Sequence, residues 1–251
     1  MQEWGNSMRL DKLIAQMQIG TRSQVKDYIR NGKFTVNDQV IKKPEYKVNE
    51  LEDRICFMGQ ALCFQKFVYY MLHKPSGVVT ATKDSRDKTV MDFMQDAAGK
   101  DLFPVGRLDK DTEGLLLITN DGALSHRLLS PKKHVEKTYY AECEGILTAE
   151  DISKLEQGVD IGDEKPTLPA QVRIIKQSDT SYSLELSITE GRFHQVKRMI
   201  GAVGGKVTYL KRISFGGLLL DESLEKGAWR ALRQEEIALL TEQNKNNNKE
   251  D

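Results

Sequence analysis

The sequence predicts an α+β protein in two parts, a small N-terminal module of helices and a larger domain built on β-strands. Near the N-terminus, apolar residues recur at helical spacing in two successive stretches. Farther along the chain apolar and polar residues alternate, as at Leu184, Leu186 and Ile188, which is typical of strands. The 251 residues, 39% of them hydrophobic, suffice for one or two folded domains.

The charge is balanced overall but unevenly distributed. The 37 Lys and Arg residues equal the 37 Asp and Glu residues, so the net charge alone identifies no partner. Positive charge is concentrated in segments 1–47, 125–140 and 188–213, whereas segment 141–164 is acidic. A neutral chain with local basic segments can still bind a polyanion.

Several protein classes are excluded by simple counts. No apolar run reaches the roughly 18 residues of a membrane helix, and the N-terminus lacks the apolar region of a signal peptide. Cys56, Cys63 and Cys143 have no CxxC spacing, so neither a disulfide scaffold nor a cysteine-rich zinc module is indicated. We expect a cytoplasmic protein with reduced thiols and no membrane partner.

The N-terminal module is predicted to contain two helices and a hairpin. Thr21 with Gln24 forms a capping-box pattern at the second helix, and Gly32 suits its end. Asn37 and Asp38 form a turn signal between short apolar segments. The first apolar stripe consists of Leu10, Leu13, Ile14 and Met17. The cations expected off the apolar stripes are Arg9, Lys12, Arg22, Lys26, Arg30 and Lys33.

This stretch resembles the S4 RNA-binding domain. The resemblance is carried by RLDKLIAQM and TRSQVKDYIRNGKFTVNDQVI, between Met8 and about Val48. It implies binding of structured RNA through phosphates and shape by the six cations named above. We assign this domain to residues 1–60, with a short N-terminal extension and with a linker beginning near Glu50, because segment 50–66 shows no clear period.

A polar loop before a buried strand is the main candidate for a site. Residues 115–118 form a short apolar run, and the preceding segment 106–114 is rich in glycine and charged residues. Functional groups often occupy such loops on a rigid scaffold. From the residues alone, an ordinary polar turn in which Asp111 or Thr112 bonds to backbone also remains open.

Four separated motifs resemble the RsuA-type pseudouridine synthases. They are YYMLHKPSGVVTAT, GRLDKDTEGLLLITNDG, EKTYYAE and LSITEGRFHQVKRMIGAVGGKV, in that order. The resemblance implies a catalytic domain, residues 61–240, with a mostly antiparallel mixed β-sheet flanked by helices. The polar segment 241–251 has no stripe and is predicted to be disordered.

The resemblance also implies a reaction and its residues. Uridine in RNA is isomerised to pseudouridine, and Asp109 matches the family's catalytic carboxylate. It can attack an electrophilic carbon or abstract a ribose proton, and both roles begin from an ionised carboxylate. Lys197 matches the basic residue that pairs with it, Tyr139 the tyrosine that stacks on the uracil, and Arg107 the residue that supports the flipped nucleotide.

Further assignments follow from position. Ile188 is a candidate for the apolar floor beneath the uracil, although plain core packing explains it equally well. Tyr140 should point into the core, because it alternates with Tyr139. Arg192 and Arg198 are expected to bind substrate. Cations expected to hold RNA backbone are Arg192, Arg198, Lys206, Lys211 and Arg212.

No cofactor or metal is expected. The chain has no Walker A loop, GxGxxG element or HExxH motif, and His73, His126, His134 and His194 are scattered. The expected partner is ribosomal RNA, in particular 16S rRNA within a partly assembled small subunit, bound by a monomer. Segment 158–170 resembles the enzymes that modify uridine 516 of 16S rRNA.

Three alternatives remain open at this point. The first is a pseudouridine synthase of 23S rRNA, because the large-subunit relatives share the other motifs. The second is a non-catalytic S4-type RNA-binding protein. Asp109 argues against it, since a carboxylate in a basic cleft would repel phosphate. The third is a nucleotide-dependent ligase or kinase, disfavoured by the missing phosphate loop.

Overall fold

The computed structural model describes residues 7–17, 19–49, 52–62 and 67–246. The chain forms two compact units, Met1–Phe67 and Val68–Asp251. No helix of the described residues is long and apolar enough to cross a membrane.

The first unit combines two helices with short strands. Leu10, Leu13 and Ile14 are fully buried, as the predicted stripe requires. Thr21 and Gln24 form the predicted capping box reciprocally, through their side chains and backbone N–H groups. The elements are β1 (Ser7–Arg9), α1 (Leu10–Gln16), α2 (Arg22–Arg30), β2 (Phe34–Val36), β3 (Gln39–Ile41), β4 (Lys47–Asn49), β5 (Ile55–Phe57) and β6 (Gln60–Leu62).

The predicted linker is wrong over residues 55–62. This part of it forms β5 and β6, which extend the β2–β3 hairpin into a four-stranded sheet of order β3-β2-β5-β6. Strands of three residues are too short for alternation to be recognised. Because β6 ends at Leu62, the first unit also runs past the expected domain boundary at residue 60.

The second unit is built on one large sheet. Its nine strands follow the order β11-β12-β10-β13-β9-β7-β15, with β8 beside β9 and β14 beside β13. Only the β13–β9 pair is parallel among the described pairings, so the expected mostly antiparallel mixed sheet is confirmed. The strands are β7 (Tyr69–Lys74), β8 (Phe103–Pro104), β9 (Glu113–Thr119), β10 (Lys137–Glu144), β11 (Gln171–Gln177), β12 (Ser181–Ile188), β13 (Lys206–Phe215), β14 (Leu218–Leu219) and β15 (Trp229–Ala231). The helices are α3 (Gly122–Leu129), α4 (Ala149–Gln157), α5 (Gln195–Ala202) and α6 (Gln234–Asn246).

Strand β9 explains the apolar run at 115–118. Leu116 and Ile118 pack in one core cluster, whereas Leu115 and Leu117 pack in another. A strand buried on both faces needs apolar residues at every position rather than at alternate ones. The loop before β9 is therefore attached to the most buried strand of the sheet.

Gly114 allows the close approach of β9 and β13. It has φ +105°, and a Cβ at this position would lie 2.2 Å from the carbonyl oxygen of Arg212. Any side chain would therefore push β13 away from the loop.

The cysteines and the end of the chain were also predicted from the sequence. Cys56 and Cys143 are buried and free, as expected, whereas Cys63 lies outside the described residues. Helix α6 extends to Asn246, so residues 241–246 are helical where disorder was predicted. The Thr241 hydroxyl donates to the carbonyls of Ile237 and Ala238, and Leu240 is buried, which ties this last part of the helix to the turns before it.

Candidate active site

Lys74 anchors the loop that carries Asp109. This lysine is fully buried at the end of β7, and its burial lowers its pKa to about 8. Its ammonium group donates to four backbone carbonyls, those of Pro75, Asp109, Lys110 and Thr112, at 2.8–3.2 Å. Thr80 adds a reciprocal pair of hydrogen bonds with the backbone of Leu108. The loop is thus fixed by contacts to its backbone, and its side chains stay available.

The Asp109 carboxylate faces two groups from the start of α5. One oxygen lies 3.4 Å from Nζ of Lys197, and the other lies 3.6 Å from Nε2 of His194. Lys197 also bonds to Asp111 at 2.6 Å, and this hydrogen bond lowers the pKa of the Asp111 carboxyl. Asp109 is the more sheltered carboxylate, with 26% of its side chain exposed against 70% for Asp111.

The backbone before α5 directs an aromatic pair toward this carboxylate. His194 caps the helix in the left-handed region, with φ +49°. The ring of Phe193 stacks on the His194 imidazole with a centroid distance of 3.8 Å and an interplanar angle of 18°. Phe193 is nevertheless 75% exposed. Neither ring was singled out from the sequence for a role, since nothing there shows that so apolar a side chain stays outside the core.

A pocket of about 870 Å³ opens beside Asp109 within the second unit. Its sheet side comes from three neighbouring strands, β12, β10 and β13. Tyr139 is opposite Arg212 in the β10–β13 register, and Lys137 is opposite both Ile188 and Phe215. Directly opposed residues share a face of the sheet, and all five of these side chains line the pocket.

Tyr139 and Tyr140 take opposite positions. Tyr139 is 9% exposed and lines the pocket. Tyr140 does not enter the core as predicted, because it is half-buried and bonds to Glu142 beside the ring of Tyr209. Since the next residue on a strand points to the other face, placing Tyr139 in the pocket puts Tyr140 on the outer side.

Two cations of the pocket were misjudged or missed. Arg212 was expected to hold RNA backbone at the surface, but it is 2% exposed and its Nε donates to the carbonyl of Leu115 at 2.8 Å. The pairing with Tyr139 turns it inward. Lys137 was not singled out, and burial lowers its pKa to about 8. Its position two residues before Tyr139 was the available signal, because strand residues i and i+2 share a face.

Arg192 and Arg198 hold a segment of the protein itself. Arg192 donates to the carbonyls of Lys165 and Pro166 at 2.6 and 2.7 Å. Arg198 bonds to Asp163 and to the carbonyl of Ile161. Arg192 still lines the pocket, whereas Arg198 is not among the lining residues. Arg198 therefore helps to hold the segment 158–170, and its substrate contact stays a prediction.

Arg107 and the lysines of β13 differ in their contacts. Arg107 is exposed at the pocket and forms no ion pair with any residue that the structure describes. The alternative of an ion pair with Asp109 or Asp111 is therefore not observed. Lys206 is exposed and pairs with Glu144, and Lys211 is half-buried.

The first unit presents all six predicted cations on its surface. Arg9 pairs with Asp11, and Arg30 pairs with Asp27. The other four, Lys12, Arg22, Lys26 and Lys33, are exposed and form no ion pair within the described part of the chain. They are available to phosphates. The described residues contain no group of three or more His, Cys, Asp or Glu side chains that could hold a metal ion.

Comparison with known proteins identifies the family to which this chain belongs. A family model described as RNA pseudouridylate synthase matches residues 68–202, and an S4 domain model matches residues 8–55. The chain therefore belongs to the RNA pseudouridine synthases, with an N-terminal S4 domain, and is an isomerase that acts on RNA. Membership in this family sets aside the non-catalytic and ligase or kinase alternatives.

Relatives cover nearly the whole chain. An uncharacterised RNA pseudouridine synthase of Bacillus subtilis is 44% identical over 94% of this chain and 99% of the relative. The ribosomal small subunit pseudouridine synthase A of Escherichia coli is 40% identical over 92% and 99%. A solved structure described as "Crystal structure of pseudouridylate synthase" matches with a TM-score of 0.65 and 39% identity, covering 93% of this chain and 100% of that one.

Proposed function

We propose that this protein converts a specific uridine of 16S ribosomal RNA to pseudouridine, with Asp109 as its catalytic carboxylate. The observation that carries the proposal is the position of Asp109, on a loop anchored by Lys74, at the edge of a pocket and within ion-pair distance of Lys197. The small-subunit substrate is supported by relatives of about 40% identity that are named ribosomal small subunit pseudouridine synthase A.

The reaction needs one carboxylate at the sugar. The N1–C1′ bond of uridine breaks, the uracil turns, and C5 forms a bond to C1′. Asp109 either attacks an electrophilic carbon or removes the proton from C2′, and it must be ionised for both. The ammonium of Lys197 lies 3.4 Å from the carboxylate and faces its negative charge.

The pocket suits a nucleotide removed from its stack. Its volume lies within the range of about 300–1,000 Å³ found for small-molecule sites. A base in a duplex or stack is out of reach, so the uridine is flipped into the pocket. Tyr139 stacks on the uracil and Ile188 forms part of the apolar floor. Arg107, exposed at the same pocket, supports the flipped nucleotide or fills its place in the RNA.

The first unit supplies affinity for the RNA. Its exposed Lys12, Arg22, Lys26 and Lys33 contact phosphates, which gives binding with little sequence information. We infer that the substrate is 16S rRNA in a partly assembled small subunit, that position 516 is modified, and that a monomer does this in the cytoplasm. No cofactor takes part in these steps.

The test is pseudouridine mapping on defined RNA. An unmodified 16S rRNA fragment bound to early ribosomal proteins is incubated with the wild-type protein and with Asp109→Asn. Carbodiimide-stop sequencing then locates pseudouridine. We expect one stop, at position 516, with the wild-type protein and none with the variant.

Each of the other possible results would correct a specific part of the proposed function. A stop found only in 23S rRNA would keep the chemistry and replace the substrate. A stop that persists with Asp109→Asn would remove Asp109 from the mechanism. Tight RNA binding without a stop in any rRNA or particle would overturn the proposed activity.

A further inference from the structure

The pocket contains two cations, the buried Arg212 and the half-buried Lys137, that have no carboxylate partner among the described residues. Lys137 donates to the carbonyl of Val135 at 2.6 Å, and Arg212 donates to the carbonyl of Leu115. Neither forms an ion pair with any residue that the structure describes. Burying an unpaired charge is unfavourable, so such groups are kept where a ligand supplies the missing partner.

Arg212 also has an unused donor. Its terminal Nη2 is buried and has no hydrogen-bond partner among the described residues. Only 2% of the Arg212 residue is exposed, and its side chain lines the pocket. A buried N–H group left without an acceptor costs about 1–3 kcal/mol. An acceptor that enters the pocket would remove that penalty.

Both cations lie around one aromatic ring. The guanidinium carbon of Arg212 is 4.9 Å from the centroid of Phe215, and Nζ of Lys137 is 5.8 Å from it. Lys137 and Arg212 also share the sheet face of Tyr139, the residue assigned to stack on the uracil. The two positive groups therefore border the space assigned to the base.

We propose that Lys137 and Arg212 bind the carbonyl oxygens of the uracil and stabilise the negative charge that the ring carries after it leaves the sugar. This inference rests on the proposed function, because it requires a uridine in this pocket. Planar carbonyl oxygens are acceptors that match the free N–H groups of a guanidinium and an ammonium. A phosphate is the less suitable ligand, since Arg212 is only 2% exposed and lies on the sheet side of the pocket.

The charge develops in a defined way. When the N1–C1′ bond breaks, its electron pair stays with the uracil, where it is shared by N1 and the oxygens O2 and O4. When C5 bonds to C1′, a pair from the ring forms the new bond and the ring becomes neutral, while Asp109 either leaves the carbon it attacked or returns the proton to C2′. The proton on C5 then leaves and N1 binds one. Donors aimed at the oxygens are most effective while the ring is an anion, so they accelerate bond breaking.

The test couples single protein groups to single RNA atoms. Single-turnover rates are measured for the wild type, Lys137→Gln, Arg212→Gln and the charge-retaining Arg212→Lys. Lys176→Gln is the matched control, because Lys176 is an exposed cation of β11 in the same sheet and lies outside the pocket. Each protein acts on RNA with uridine, 2-thiouridine or 4-thiouridine at the target, and on RNA with a methylphosphonate at either flanking phosphate. Melting temperatures identify variants that fail to fold.

We expect Lys137→Gln and Arg212→Gln to slow the single-turnover rate by about a hundredfold, the effect of losing one preorganised donor, with RNA affinity nearly unchanged. Arg212→Lys should recover part of this rate. Replacing a contacted oxygen by sulfur should slow the wild type and Lys176→Gln, and should add little further loss in the variant that lacks the partner cation. Methylphosphonate effects should be the same in all proteins.

Two results would overturn the proposal. Coupling to a methylphosphonate in place of a thiouridine would assign the cations to a phosphate. Folded variants that show no coupling to any substitution would leave Lys137 and Arg212 with a structural role only. A wild-type protein that forms no pseudouridine would instead refute the proposed function, so the two failures are distinguishable.

Discussion

The ammonium group of Lys197 lies nearer to Asp111 than to Asp109, at 2.6 Å and 3.4 Å respectively. Two carboxylates of the same loop therefore share one lysine. Asp111 is largely exposed, so its ion pair with Lys197 is screened by water, whereas Asp109 is sheltered at the pocket. This difference in surroundings, rather than the shorter distance, indicates which carboxylate reacts.

Replacing each carboxylate separately tests that assignment. We expect Asp109→Asn to reduce the single-turnover rate by about a thousandfold or more, because the reaction loses its acid–base or nucleophilic group. Asp111→Asn should stay within about threefold of the wild type and bind RNA slightly more tightly, since a negative charge is removed near the phosphates. A large loss with Asp111→Asn and a small one with Asp109→Asn would exchange their roles.

Lys74 should control the loop rather than the RNA. In Lys74→Met, four carbonyls lose their donor, so we expect the free energy of unfolding to fall by about 3 kcal/mol and the catalytic rate to fall as well. RNA affinity should remain unchanged. Lys110→Met is the control, because Lys110 lies on the same loop but is exposed and pairs only with Asp87 among the described residues. Equal effects of the two substitutions would contradict the role of Lys74 as an anchor.

The sequence predicted those parts of the fold that depend on local patterns. The buried stripe of α1, the capping box at Thr21 and the strand at 115–118 each have a signal within a few residues. The strands β5 and β6 did not, because three residues are too few for a period. The end of α6 was not predicted, because the polar composition of its last residues does not show that the preceding turn is anchored by the buried Leu240.

The sequence motifs predicted which residues belong to the candidate site, but not the contacts that these residues make. Asp109, Tyr139 and Lys197 stand in matching motifs, and the structure brings all three to one region. The inward direction of Arg212 depends on its register with Tyr139 across β10 and β13, which are about seventy residues apart. The four-carbonyl environment of Lys74 likewise joins two distant segments. Neither of these long-range contacts can be predicted from a single sequence.

The exposed ring of Phe193 should contribute to RNA binding. It lines the pocket and stacks on His194, so its free face is available to a base. Base–aromatic stacking is worth about 1–3 kcal/mol, so Phe193→Ala should raise the Kd for RNA about tenfold or more. Phe193→Trp should bind as well as the wild type. Leu219→Ala, at another exposed apolar residue of the second unit outside the pocket, should change nothing. Unchanged affinity in Phe193→Ala would refute this role.

The start of α6 is tied by a charged pair whose stability depends on pH. Glu236 accepts two hydrogen bonds from Arg230, both at 2.8 Å, and one from the backbone N–H of Arg233 at 2.7 Å. The hydrogen bonds from Arg230 lower the pKa of Glu236 to about 2 from 4.5. A lowered carboxyl pKa adds stability that is fully present above pH 4.5 and is lost as the pH falls through 2.

Glu236→Gln should therefore lower the free energy of unfolding by about 2 kcal/mol at neutral pH, after allowance for partial exposure. The difference from the wild type should shrink between pH 4.5 and pH 2. Denaturant titrations across this range measure it. Glu150→Gln, which breaks an exposed pair with Lys154, should have almost no effect. A difference that is the same at pH 7 and pH 2 would show that the loss comes from packing rather than from charge.

The pKa of Lys137 predicts an alkaline limit to activity. Burial is the main cause that lowers this pKa to about 8, the positive charge of Arg212 adds to it, and Glu190 opposes it. The other charged or titratable side chains that line the pocket are Tyr139 from β10, Arg107, Asp109 and Lys110 from the loop before β9, and Arg192 and His194 from the segment before α5. If the ammonium form of Lys137 is the active one, kcat/KM falls as the pH rises through 8, about tenfold per pH unit. Lys137→Arg keeps its charge at higher pH, so its profile should stay level where that of the wild type declines, even if its rate at pH 7 is lower. An alkaline limb at the same pH in both proteins would mean that another group titrates, and Lys137 would then have no part in binding the uracil anion.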